Sequence, residues 1–125
     1  MDKDIRRLPD SELELMQIIW DLEPPLSRQD IEERLPPDRP LAPTTVLTFL
    51  DRLREKGFLR AERRGKTNYY TPLVSRREYL ARESRGVLDR LFGGSVSAFA
   101  TALVDGGVSR EEIQRLRELL EEGKL

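Results

Sequence analysis

Four times along this chain a serine is followed three residues later by an acid, just ahead of apolar residues at helical spacing. These are Ser11-x-x-Glu14, Ser27-x-x-Asp30, Ser75-x-x-Glu78 and Ser109-x-x-Glu112. Such a box marks a helix start, because the hydroxyl accepts from an orphan N–H of the first turn and the acid reaches back to the serine N–H. The first helix is expected over residues 11–22, with Leu13, Met16, Ile19 and Trp20 on one face, ended by Pro24-Pro25. A short second helix is expected over 28–35 with Ile31 and Leu35 inward, followed by a stiff connection through Pro36, Pro37, Pro40 and Pro43. The third is expected over 44–56, with Val46, Phe49, Leu50 and Leu53 inward and Gly57 at the left-handed cap position.

The period then changes. Residues 58–63 and 67–73 read as two antiparallel strands around Arg64-Gly65-Lys66, where Gly65 allows a positive φ and the Tyr and Thr residues favour the second strand. Beyond Ser75 the chain reads as helical again. A long amphipathic helix carries Tyr79, Leu80, Val87, Leu88, Leu91 and Phe92 up to Gly93-Gly94. A short helix is expected over 97–104 and a last one over 110–122. The fold class is therefore mainly α with a small two-stranded β-wing. Residues 1–74 would form a winged helix-turn-helix DNA-binding domain, and residues 75–125 a three-helix dimerisation region.

Three helices followed by a hairpin with a basic tip is the winged-helix order, in which the third helix enters the major groove of DNA. The net charge of −1 is uninformative until it is divided along the chain. Residues 1–41 hold 6 basic and 11 acidic side chains, residues 42–74 hold 7 and 3, and residues 75–125 hold 9 of each. The basic middle third suits phosphate. The outward face of helix three carries Thr44, Thr45, Leu47, Thr48, Asp51 and Arg52. Thr hydroxyls suit bases or phosphates, Thr and Leu methyls suit thymine, and Arg52, Arg63, Arg64 and Lys66 suit phosphates. Each has a plainer reading: Thr44 as a cap, the wing tip as a solvated turn, Arg52 as the partner of Glu55 or Glu62.

The chain has no Cys and no His. Thiolate and imidazole metal sites and the commonest general base are thereby removed, and with no Gly-rich phosphate loop an enzyme is not expected, nor any cofactor or metal. No apolar run approaches the ~20 residues that span a bilayer, and Met1 to Arg7 lacks a following apolar stretch, so no membrane association and a cytoplasmic location are expected.

Several motifs together resemble the penicillinase-repressor (BlaI/MecI/CopY-type) family over nearly the whole chain. They are Leu13-Glu14-Leu15-Met16 with Trp20, Thr44-Thr45-Val46-x-Thr48 with Leu50-x-Arg52-Leu53-x-x-Lys56-Gly57, Tyr70-x-Pro72 with Ser75-x-x-Glu78, and Gly93-Gly94 with Ser109-x-x-Glu112-Ile113-x-x-Leu116. The resemblance implies a repressor acting as a homodimer on a dyad-symmetric double-stranded operator, with Thr44, Thr45, Leu47 and Thr48 as recognition positions. Some members have basic residues where this chain has Thr44 and Leu47. In the β-lactamase branch a sensor-linked protease cuts the short helix after the Gly-Gly. The corresponding bond here joins Thr101 and Ala102, where that branch has Asn-Phe. The copper-sensing branch needs a cysteine cluster that this chain lacks.

A dimer is also expected on physical grounds. Val87, Leu88, Leu91, Phe92, Phe99, Leu103, Ile113, Leu116 and Leu120 form more apolar stripe than so short an appendage buries on itself, and each such side chain gains roughly 1.5–3 kcal/mol on burial. The alternative is that they cover the winged-helix core. An alternative for the whole chain is a winged-helix protein-interaction module that does not read DNA. Salt dependence separates the two, since DNA binding weakens steeply as salt rises.

Overall fold

The computed structural model describes residues 5–123. Its elements run α1 (Asp10–Trp20), β1 (Leu26–Ser27), α2 (Arg28–Glu32), α3 (Pro43–Glu55), β2 (Leu59–Arg64), β3 (Thr67–Pro72), α4 (Arg76–Phe92), α5 (Val96–Asp105) and α6 (Arg110–Glu121). The expected hairpin is present, and a third strand joins it: β1 pairs antiparallel with β3 through Leu26 opposite Tyr70, giving the order β1-β3-β2. Two residues are too few to leave a periodic trace, so β1 was absent from the sequence reading.

The helix starts differ in detail. At Ser27 and Ser75 both halves of the box form: Ser27 Oγ accepts from Asp30 N–H at 3.2 Å, and Ser75 Oγ accepts from Glu78 N–H at 3.1 Å. The acids accept in return from the serine N–H groups, each at 2.9 Å. Ser109 Oγ accepts from Glu112 N–H at 3.1 Å. Ser11 does not cap. Pro9 takes the cap position one residue before Asp10, so Ser11 already lies inside α1. Ser95 is the cap that the sequence reading missed; it starts α5 at Val96 rather than at 97. Pro43 belongs to α3 rather than to the connection, since it supplies the first turn after Ala42 with a residue that needs no N–H partner.

The chain forms two compact units, one up to Arg82 and one from Glu83 onward. In the first, α1 contributes Leu15, Met16 and Ile19, α3 contributes Val46, Leu50 and Leu53, and Leu8, Leu26, Ile31, Phe58, Leu59, Tyr70, Val74 and Tyr79 complete the core. Leu15 was not in the expected stripe, whereas Leu13 and Trp20 are only half-buried. Trp20 Nε1 donates to the Val74 carbonyl at 2.9 Å, and the Tyr79 hydroxyl accepts from Leu8 N–H at 3.0 Å. The Tyr79 ring meets Phe58 edge-on at 5.7 Å, so the first turn of α4 packs with the first unit. For that reason the units divide inside α4 rather than near residues 74–77.

α1 also buries a charge. Glu12 is almost fully covered, and its Oε1 accepts from Lys56 Nζ at 2.6 Å, joining α1 to the C-terminal end of α3. A covered carboxylate is tolerable only with such a partner. Replacing Lys56 with Met should therefore cost about 3 kcal/mol, and adding Glu12→Met should recover most of it. Urea denaturation of the two single variants and the double variant measures this; strictly additive losses would remove the pair from the list of stabilising contacts.

Candidate nucleic-acid interface

α3 ends in a Schellman turn. Phe58 N–H donates to the Leu53 carbonyl at 2.9 Å, Gly57 N–H donates to the Arg54 carbonyl at 3.0 Å, and Gly57 has φ of +81°. This turn carries the chain directly from α3 into β2. The hairpin then reverses over Gly65-Lys66 alone, since Arg64 is paired with Thr67. Gly65, with φ of +63°, supplies the first turn position. Arg64 is thus a strand residue rather than part of the turn.

The structure places the expected α3 residues as follows. Thr44, Leu47, Thr48 and Arg52 are exposed, and Thr45 is half-buried. With Ala42 in the cap position, Thr44 does not cap. Thr48 Oγ1 donates to the Thr44 carbonyl at 2.9 Å, which commits its hydroxyl hydrogen within the helix. Arg52 pairs with neither Glu55 nor Glu62; it makes no ion pair among the described residues. Asp51 on the same helix is offset by Arg54 at 3.6 Å.

The wing cations differ among themselves. Lys66, at the tip, makes no ion pair among the described residues. Arg63 Nε donates to the Gly65 carbonyl at 3.1 Å, which braces the turn. Arg64 lies over the Tyr69 ring at 5.4 Å and pairs with Glu62 at 3.5 Å.

Between α3 and the wing runs a groove lined by Leu47, Lys66, Thr67, Asn68 and Tyr69, and closed by Arg28 and Gln29 at the start of α2. Arg28, Gln29, Thr67 and Asn68 were missed in the sequence. The Ser27 box signals that a helix starts there, but not that its first turn borders the wing. Arg28 is held by Glu32 at 3.1 Å. The groove therefore offers amide, hydroxyl and cationic groups around one exposed leucine. That is an assortment for binding a polar, negatively charged surface, and it lacks the paired nucleophile and base that covalent chemistry needs. No cluster of three or more Asp or Glu among the described residues could hold a metal ion.

The family model described as penicillinase repressor matches residues 8–122. The chain belongs to the penicillinase repressor family. This is a family of transcriptional repressors, not of enzymes. The penicillinase repressor of Bacillus licheniformis is 30% identical, over 98% of this chain and 95% of its own. The methicillin resistance regulatory protein MecI of Staphylococcus aureus (strain N315) is 26% identical, over 96% of this chain and 98% of its own. Among solved structures, the DNA-binding domain of the repressor BlaI superposes with a TM-score of 0.53 at 31% identity, covering 62% of this chain and 94% of that one. Monomeric Bacillus licheniformis BlaI in complex with the blaP half-operator superposes at 0.51, with the same identity and coverage. The winged-helix class expected from the order of elements is thus that of the penicillinase repressors.

Beneath the groove, burial pushes the Tyr70 phenol above its ordinary value of 10.0, and the Asp51 carboxylate pushes the same way against the opposing Arg54, Asn68 and Arg28. The folded state therefore holds this proton more tightly than the unfolded chain, so the contribution of Tyr70 to stability is fully present below pH 10 and is lost as pH rises beyond it. Thermal melts should lose stability above pH 10 more steeply in the native protein than in Tyr70→Phe. Equal slopes would show that the phenol ionises as easily folded as unfolded.

Proposed function

We propose that this protein is a sequence-specific DNA-binding repressor that acts as a homodimer on a dyad-symmetric operator, each first unit occupying one half-site. The observation that carries this reading is the exposed face of α3, with Thr44, Leu47, Thr48 and Arg52, standing beside a wing whose tip presents Lys66, both cations without an ion pair among the described residues. The same fold in a 31% identical repressor is solved in complex with half-operator DNA. In this reading α3 lies in the major groove, while Arg52, Arg63, Arg64 and Lys66 meet phosphates. Selection of bound duplexes from random DNA by the purified protein should yield a two-fold-symmetric sequence whose affinity falls steeply with salt. Recovery of no consensus, with binding indifferent to salt, would instead favour a protein-interaction module.

The second unit supports the dimer. No residue of α5 or α6 is buried, and Leu91, Leu116 and Leu120 are 66%, 42% and 62% exposed. Val87, Leu88, Phe92, Phe99, Leu103 and Ile113 are only half-buried, and the Phe92 and Phe99 rings lie 5.2 Å apart as the start of a cluster. An apolar surface of this kind calls for a partner, and a second copy presents the same surface. Two linked half-site contacts gain by effective concentration, so separating the protomers releases DNA. Leu91→Asp should give a monomer by analytical ultracentrifugation and weaken operator binding at least tenfold; a variant that stays dimeric would move the interface elsewhere.

Proteolysis between Thr101 and Ala102 fits the same scheme, because it would divide the dimerising unit. The bond lies inside α5, and Thr101 Oγ1 donates to the Ser97 carbonyl at 2.9 Å. A sensor-linked protease would have to act on a locally opened α5.

A further inference from the structure

A second concavity in the first unit shares no residue with the groove beside the wing. It is a cavity of about 390 Å³ between α1, the connection from α2 to α3, and Phe49 of α3. That size lies within the range of small-molecule sites. Its wall is apolar, formed by Ile18, Leu35, Leu41 and Phe49 together with Leu15. The rim carries four charges, and three of them are accounted for. Glu14 is paired with Arg39, and Asp21 is paired with Arg76 at 2.6 Å. Arg34 has no acidic partner among the described residues. Ser11 also lines the cavity, and its hydroxyl is not engaged as a helix cap.

An apolar hollow with both rim acids neutralised and one guanidinium left over has a definite preference. It favours a ligand with an apolar body and a single negative head, because a carboxylate satisfies Arg34 with two parallel hydrogen bonds. A cation there would meet Arg34 with no uncompensated acid to offset it. We propose that this cavity is a binding site for a small amphipathic organic anion of the carboxylate class. The proposal concerns the first unit alone and does not depend on the DNA reading.

The test is a methyl-resolved NMR titration of the full chain with octanoate, octanol and octylamine as probes. Octanoate should shift the Ile18, Leu35 and Leu41 methyl signals saturably and bind more tightly than octylamine. Arg34→Gln, on an exposed turn and therefore compatible with the fold, should weaken octanoate roughly fivefold while leaving octanol unchanged. The amide spectrum of this variant checks that it is folded. Three results would overturn the proposal: octanoate shifts confined to Leu91, Leu116 and Leu120 of the second unit, octylamine binding as tightly as octanoate, or an unchanged octanoate affinity in Arg34→Gln.

Discussion

The turn at Lys56-Gly57-Phe58 fixes the relation between the two surfaces that matter. α3 and the wing are consecutive in the chain, so the direction in which the chain leaves α3 decides where the wing stands. That direction is set by a left-handed glycine and two hydrogen bonds back onto the last turn of the helix. The two residues that flank the glycine also anchor the core. Phe58 follows the glycine into the interior and packs against Tyr79, while Lys56 reaches back to the covered Glu12 of α1. One short segment thus caps a helix, starts a strand, fills the core and satisfies a buried charge. A Cβ at position 57 would meet no neighbouring atom, so the requirement for glycine there is one of backbone conformation rather than space.

The electrostatic design is local. A chain with net charge −1 has no global attraction to a polyanion, so any such attraction comes from where its cations stand. Many of its arginines are occupied with acids: Arg28 with Glu32, Arg39 with Glu14, Arg54 with Asp51, Arg64 with Glu62 and Arg76 with Asp21. Arg52, Arg60, Arg63 and Lys66, all in the basic middle third, have no acidic partner among the described residues. A count of basic residues along the sequence points to the middle third of the chain, but only the pairing shows which of those charges lack an acid.

The features legible in the sequence are those that depend on neighbours a few residues apart. The boxes at Ser27 and Ser75, the helix stop at Gly57 and the turn at Gly65 are all set locally, and each was readable. Ser11 misled because the serine-to-acid spacing is the same whether or not a proline has already taken the cap position two residues earlier. The features that escaped are set across the fold. β1 exists only because Tyr69 and Tyr70 offer it an edge. The burial of Glu12 follows from a lysine 44 residues away, and a charged side chain in an amphipathic pattern reads as solvent-facing. Arg28, Gln29 and Asn68 meet Leu47 only once the sheet and the second helix are in place.

If α3 reads DNA as proposed, the internal bond of Thr48 limits what the helix can ask of a base. A threonine hydroxyl has one hydrogen, and here it is given to the Thr44 carbonyl. Outward, the side chain therefore shows a lone pair and a methyl group. Guanine presents two acceptors to the major groove and finds no donor at this position, whereas adenine and cytosine each present an amino hydrogen that an oxygen can accept. On the proposed reading, the helix would discriminate here by being unable to give.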